Sequence, residues 1–201
     1  MTSRTQIINF ALTKLGVQTV TSEDEASEPA IKAKLVFDTA VRSELRRHAW
    51  SFALARAQLA ASSTPPAFGW VNAFPLPTDC LRVIQVGEYF DFAGVRQQVD
   101  TIVVPYAIEA RQILTDLGAP LKLRYVRDMS NEIAQWDAAF TDAMSNRLAI
   151  ELAETLTKST TRYEQATQMY KASITEARRC NAIELPPVPL PDNSFMMSRI
   201  Y

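Results

Sequence analysis

The sequence predicts an α+β protein in which a bundle of about four helices carries an inserted antiparallel β lobe and an extended C-terminal arm. Near both ends of the chain, apolar residues recur every three or four positions, which is typical of amphipathic helices. Between these segments the apolar period falls to two, which is typical of strands with one buried face. Helices from the two ends must meet to bury their apolar faces, so the strands between them should project as one lobe. The predicted parts are a helical bundle of residues 1–50 and 130–182, a β lobe of residues 51–129, and an arm of residues 183–201.

Two helices are expected before residue 50. The first runs from Ser3, a helix-capping residue, to Leu15, and Gly16 suits the left-handed backbone that ends many helices. The second begins near Ser27, whose side chain is expected to cap it, with Pro29 in the first turn, where a missing amide hydrogen costs nothing. Its apolar face consists of Ala33, Val36, Phe37, Ala40, Val41, Leu45 and His48.

The middle of the chain is expected to form short strands. Apolar residues at 121, 123 and 125 alternate with basic ones at 122, 124 and 127, which is the clearest strand signal in the chain. Pro75 and Pro77 exclude a central strand or a helix at residues 75–80. Asp116 to Gly118 should form a hairpin-like turn. The other expected strands cover residues 52–59, 81–86, 101–106 and 111–114.

Two long helices and the arm are expected after residue 131. The third helix has apolar residues spaced by four, and these are Trp136, Phe140, Met144, Leu148, Leu152 and Leu156. The fourth covers residues 160–181, with an apolar line of Tyr163, Ala166, Tyr170, Ile174 and Ala177. Four prolines between residues 186 and 191 then favour an extended chain. The arm could be a solvated terminus, but its apolar end favours docking on another protein chain through Phe195, Met196, Met197, Ile200 and Tyr201.

Composition and motifs point away from an enzyme. The net charge of −1 argues against a free-standing nucleic-acid binder, and no apolar run reaches the length of a membrane span. The chain has no glycine-rich phosphate loop and no Cys or His spacing typical of a metal site. We therefore expect no catalytic residues, no cofactor and no metal. A paired-carboxylate site could be assembled from Asp79, Glu88, Asp91 and Glu109, but these acids are expected to be solvated, with Asp79 capping a turn.

Two further clusters are candidates for intermolecular contacts. Arg42, Arg46 and Arg47 near the end of the second helix could meet phosphate, but they are better suited to acids of a neighbouring subunit. Three aromatic residues are expected at a loop tip, where they could serve ordinary packing or equally form an interface with another chain: Tyr89, Phe90 and Phe92. His48, the one histidine, is expected to be a core or interface residue.

Several of these segments together resemble a known family. The carrying segments are residues 11–16 (ALTKLG), 20–22 with Asp24, the positions Ala33, Phe37, Arg42 and Leu45, residues 50–52 (WSF) and residues 75–82 (PLPTDCLR). This pattern resembles the phage tail tubular protein A family, the head-to-tail adaptors of short-tailed phages. The chain departs from it at residues 18–19, where members often carry a proline. By motif the likeness covers roughly the first 82 residues, and beyond them only the order of elements matches.

The resemblance implies a structural protein of the virion. Such adaptors form a ring, commonly of twelve copies, below the portal protein, and they continue the DNA channel toward the tail nozzle protein. DNA then passes through the lumen without sequence-specific binding, the chain needs no membrane, and assembly takes place in the host cytoplasm. The helical bundle would face the portal, the β lobe the nozzle, and the arm would reach onto the portal. The alternatives are a tail-associated glycan hydrolase, which needs two carboxylates in a cleft, and a DNA-binding helical protein.

Overall fold

The computed structural model describes residues 2–87 and 105–184 of the chain. These residues form four α-helices and two antiparallel sheets of three strands each, which confirms the predicted α+β class. The helices are α1 Arg4–Leu15, α2 Glu28–Arg47, α3 Ala138–Thr157 and α4 Thr160–Ile183. The strands are β1 Leu54–Leu59, β2 Asn72–Pro75, β3 Cys80–Val86, β4 Tyr106–Glu109, β5 Gln112–Thr115 and β6 Leu121–Arg127.

The helix ends follow the sequence with two exceptions. The Ser3 hydroxyl accepts a hydrogen bond from the Gln6 amide at 3.2 Å, and Gly16 ends α1 with φ of 67°. Ser27 precedes α2 as expected, but the prediction that its side chain caps the helix is wrong, because its hydroxyl makes no capping bond. Trp136 lies before α3 and not within it, because Asp137 caps the helix by accepting from two backbone amides.

The helical core is built around α3, which packs against all three other helices. An aromatic cluster lies at its N-terminal end, where the Phe140 ring centroid is 4.8 Å from that of Trp50, 5.0 Å from that of Phe52 and 5.1 Å from that of Trp136. These edge-on and tilted ring arrangements are favourable beyond the area that they bury. The helices before and after the β lobe therefore share one core, as their apolar faces require.

The β lobe consists of two sheets that share one apolar core. One sheet has the strand order β1-β6-β3, and the other has the order β2-β5-β4. Between them lies a second core, to which Leu59, Leu121 and Leu123 contribute from the first sheet and Phe74 and Ile113 from the second. At the end nearest the helices the first sheet joins the helical core instead, through Val126. The lobe is thus an insertion with its own core, attached through one sheet.

Three details of the strand prediction need correction. The turn after β5 does not close a hairpin, because β5 and β6 belong to different sheets. The hairpin is formed by β4 and β5, and its turn is Ala110-Arg111, where both residues have positive φ. Strand β2 was not predicted; it ends at Pro75 on the edge of its sheet, where a missing amide hydrogen is tolerated. Of the strand expected at residues 101–106, only the last two residues are described, and β4 begins at Tyr106.

Candidate functional site

Arg42, Arg46, Arg47, His48 and Asp79 lie where the helices meet the β lobe, whereas Glu109 is exposed at the end of β4, away from this region. We call this region the joint and define it as residues 42–53, 79–82, 126–129 and 178–184. It brings together the end of α2, the 3-10 turn Ser51–Ala53, the start of β3, the end of β6 and the end of α4. Side-chain hydrogen bonds and ion pairs across the joint hold the helical body and the β lobe together.

Arg42 links α2 to the chain that follows β6. Its Nε lies 2.7 Å from the Asp128 carboxylate. Burial by itself would raise the pKa of Asp128, but hydrogen bonds from Ser130 and the Arg42 guanidinium outweigh burial and hold that pKa below its usual value. The pair therefore stabilises the attachment of the lobe at neutral pH.

Arg46 and Arg47 are also bonded within the chain. Arg46 donates to the backbone carbonyl of Leu81 on β3, and Arg47 donates to the Glu44 carboxylate at 2.8 Å. The side chains of Arg42 and Arg47 nevertheless remain 52 % exposed. Intrachain bonds and an outer contact are compatible for a guanidinium, which has five N–H donors. The predicted contact of these arginines with a neighbouring subunit or phosphate stays a prediction.

Glu44 was not among the residues predicted from the sequence, although its position offers a signal. An acid at residue 44 interrupts the apolar face of α2, and its side chain is only 1 % exposed. Its Oε1 faces Arg47 and, at 3.6 Å, Arg147 of α3, while the phenol of Tyr170 on α4 also faces it. Burial raises the pKa of Tyr170, and the Glu44 carboxylate adds to that effect. Glu44 thus joins three helices by polar contacts.

The end of α4 is fixed to the joint by Asn181, which the pattern analysis also missed. Its side-chain oxygen accepts from the Ser51 amide at 2.7 Å, and its nitrogen lies 3.1 Å from His48 Nε2 and 3.3 Å from the Ala49 carbonyl oxygen. The Ser51 hydroxyl donates to Glu184 at 2.7 Å. His48 is half-buried at the C-cap of α2, where burial lowers its pKa.

The acids considered for a hydrolase do not all lie in the described part of the chain. The Asp79 carboxylate accepts from the Tyr125 hydroxyl at 3.2 Å, and burial followed by this carboxylate raises the pKa of Tyr125 to about 12. The turn at residues 77–80 is closed by a backbone bond from Cys80 to Pro77. Glu88 and Asp91 lie outside the described residues. Among residues 2–87 and 105–184, no group of three or more His, Cys, Asp or Glu residues is placed to hold a metal ion.

Two predicted contact sets also lie outside the described residues. They are the loop-tip aromatics Tyr89, Phe90 and Phe92, and the arm residues Phe195, Met196, Met197, Ile200 and Tyr201. The structure does fix the start of the arm, since Glu184, the last described residue, is bonded to Ser51 in the joint. The last described residue therefore lies in the joint, beside the β lobe.

The outer face of α2 carries an apolar pair that the pattern analysis did not identify. Ile31 is 59 % exposed and Leu35, one turn later, is 80 % exposed. Scattered exposed apolar residues are ordinary, but two on one helix face form a contiguous strip. The same face continues at Thr39 and Arg42, both exposed.

No protein-family model matches the chain, and the search of curated proteins likewise gave no match. The fold and the joint define an α+β protein with an inserted β lobe that is attached by apolar contacts at Val126 and by polar bonds such as that of Arg42 with Asp128. A membrane-spanning helix is not found in the part of the chain that the structure describes.

Proposed function

We propose that this protein is the structural head-to-tail adaptor of a bacteriophage, forming a ring between the portal protein and the tail nozzle protein. The observation that carries the proposal is the position of the residues that resemble the adaptor family. Leu12, Leu15, Phe37, Leu45 and Trp50 come from three separate motifs, yet all are buried in one core. The residues that carry the resemblance therefore belong to one folded unit, as expected if the chain shares its structure with that family.

The architecture supports the proposal in a second way. An adaptor needs one part for each neighbour, and this chain has a helical body and a β lobe with separate cores. The arm starts at the joint, and residues 185–201 could extend over about 55 Å. Helix α4 is about 36 Å long, so an arm starting at the joint can reach the far end of the helical body. Contact with a partner at that end is within reach.

The outer face of α2 supports a homo-oligomeric ring. Burying Ile31 and Leu35 against the next copy removes apolar surface from water, and Arg42 on the same face adds a charge for an acid of that copy. A contact repeated around a closed ring needs only a modest free energy per interface. DNA then passes through the lumen of the ring, with no sequence-specific binding required of this chain.

The proposal is tested by measuring the mass of the purified protein alone and after mixing it with the portal ring encoded by the same phage. We expect a complex that carries about one adaptor per portal subunit. A protein that neither joins the portal nor forms a ring would overturn the proposal. Salt-dependent binding to DNA by such a protein would favour the DNA-binding alternative, and cleavage of host glycan would favour the hydrolase.

The contribution of the arm is tested with a matched pair of variants. In one variant, serine replaces the apolar arm residues Phe195, Met196, Met197, Ile200 and Tyr201. In the control, Asp192→Asn and Ser198→Ala change polar positions of the same segment. We expect the serine variant to remain folded and to lose portal binding, while the control binds as the unaltered protein does. Equal binding by both variants would overturn the docking role of the arm.

A further inference from the structure

The orientation of the Asn181 amide is determined by its surroundings. The backbone N–H of Ser51 is a donor, so the group that faces it at 2.7 Å must be the side-chain oxygen of Asn181. The NH2 group then faces His48 Nε2 and the Ala49 carbonyl oxygen. A flipped amide would set donor against donor at Ser51. Asn181 is only 5 % exposed, so water cannot easily replace any of these partners.

This orientation in turn determines the state of His48. An NH2 group can only donate, so Nε2 must accept and the imidazole must be neutral, with its proton on Nδ1. Protonation of His48 at Nε2 would replace the acceptor of this hydrogen bond by an N–H donor. The hydrogen bond would become a contact between two N–H groups.

The charges near His48 act in the same direction. Arg178 on α4 and Arg82 on β3 are the charged groups whose fields reach the imidazole, and both disfavour a further positive charge. Glu184, the acid at the end of α4, is engaged by the Ser51 hydroxyl. A protonated His48 therefore meets repulsion from Arg178 on α4 and from Arg82 on β3.

Apart from Asn181, the last turn of α4 is held by the bond between the Ser51 hydroxyl and Glu184 and by little apolar burial. Between Ala177 and the end of the helix, Asn181 is the one buried residue, and Ile183 is 69 % exposed. Apolar burial is thus small in this turn, so the free energy of opening it depends on the polar contacts of Asn181 together with the bond between Ser51 and Glu184.

We propose that His48 and Asn181 form a pH-sensitive latch, in which protonation of His48 releases the last turn of α4, and with it the start of the arm, from the joint. The release is local, because neither side chain belongs to the apolar core of the helical body, which His48 touches only through the edge-on contact of its ring with Trp50 at 4.7 Å between centroids. The latch requires only the described geometry and is independent of the adaptor proposal.

The direction of the pH dependence follows from linkage. Burial, with Arg178 and Arg82 adding to it, lowers the pKa of His48 in the closed state, whereas in the opened state it should approach the ordinary value of about 6.5. The closed latch is then fully stabilised above about pH 6.5, and this stabilisation is lost as the pH falls through the lowered pKa of the closed state. Because one proton is taken up, the population of the open turn rises by at most about tenfold per pH unit in this window.

Two measurements on the untagged full-length protein test the latch. His48 is the single histidine, so its imidazole nitrogen signals in NMR are assigned without ambiguity, and we expect the Nδ1–H tautomer at pH 7.5. Hydrogen exchange followed by mass spectrometry, corrected for the intrinsic effect of pH, should show residues 178–184 losing protection between pH 7 and pH 5. Residues 4–15 of α1 serve as the internal reference. The opposite tautomer, or equal pH dependence in the two segments, would overturn the latch.

Two substitutions separate the latch from a general effect of acid. His48→Gln offers an amide oxygen that accepts without titrating, so protection of residues 178–184 should become independent of pH. Asn181→Asp replaces the NH2 group by a carboxylate oxygen, which accepts from a protonated imidazole. In that variant we expect the sign to reverse, with the last turn becoming more protected as His48 gains its proton. Unchanged pH dependence in both variants would exclude His48 as the sensor.

Discussion

Helices α3 and α4 follow each other in the chain and pack along each other, yet they are attached to the molecule by different forces. Ten of the 20 residues of α3 are buried, and most of these are apolar. Only four of the 24 residues of α4 are buried, and they are Ala166, Ile174, Ala177 and Asn181. Where α4 lacks apolar burial, polar side chains make the attachment: Asn146 to Ser173, Glu44 facing Tyr170, and Asn181 to Ser51.

This difference implies different modes of opening. Burial of a large apolar side chain contributes about 1.5–3 kcal/mol, whereas a neutral hydrogen bond contributes a net of about 0.5–1.5 kcal/mol. Separating α3 from its neighbours requires loss of the whole core, so it should open only when the protein unfolds. Helix α4 can open from its C-terminal end at a lower free energy. The helix that leads into the arm is therefore the more easily released of the two.

The largest expected loss of stability follows from removing a core side chain of α3. Phe140→Ala removes a fully buried ring that contacts Trp50, Phe52 and Trp136, and the loss should be about 3–5 kcal/mol in the free energy of unfolding. Urea unfolding followed by circular dichroism measures it. Met169→Ala on the exposed side of α4 is the matched control and should stay within about 0.5 kcal/mol of the unaltered protein. A Phe140 variant that loses less than about 1 kcal/mol would mean that α3 is not the centre of the core.

A smaller loss of stability is expected at Glu44, where side chains of α2, α3 and α4 face one buried carboxylate. Glu44→Ala leaves Arg47, Arg147 and Tyr170 without their shared acid, and should cost about 2–3 kcal/mol. The value lies below that for a fully buried pair because Arg47 is half-exposed and can be hydrated, and because Arg147 keeps its contact with Glu151. The loss is measured by urea unfolding.

Glu44→Gln is the control for this charge, since it keeps the shape and one acceptor. We expect it to cost about 1 kcal/mol, so that the difference between the two variants reports the cavity and the lost acceptor. If the Ala variant were as stable as the unaltered protein, the buried acid would not contribute to holding the helices together.

The helices could be predicted from the sequence because their apolar residues recur every three or four positions. All four helices bury a face spaced by three or four residues, and Ser3 and Gly16 mark the ends of α1 by local backbone chemistry. The hairpin turn at Ala110-Arg111 could not be predicted, because positive φ at those two residues is imposed by the pairing of β4 with β5 and not by a glycine. Likewise, only tertiary packing places β5 and β6 in different sheets.

The joint was only partly predictable from the sequence. Arg42, Arg46 and Arg47 stood out as a charge cluster, but the partners of the first two, Asp128 and Leu81, are set by packing between distant segments. The partner of Arg47, Glu44, lies three residues earlier on the same helix. Asn181 carries no signal of its own, because an asparagine near a helix end is common and its role depends on Ser51, which is 130 residues away. Polar contacts of this kind follow from the fold and do not show in the periodicity.

The smallest expected effect tests one polar contact between the two helices. The amide nitrogen of Asn146 on α3 donates to the Ser173 hydroxyl on α4 at 2.9 Å, and Asn146 is buried. Ser173→Ala leaves that donor with only a longer bond to Asp142, so we expect a loss of about 1 kcal/mol. Thr175→Ala is the matched control, because its hydroxyl is exposed and bonded to its own helix. Hydrogen exchange should locate the Ser173 effect in α4 and leave α3 unchanged. If protection fell equally in α3 and α4, the two helices would open as one unit and the proposed difference in their attachment would be wrong.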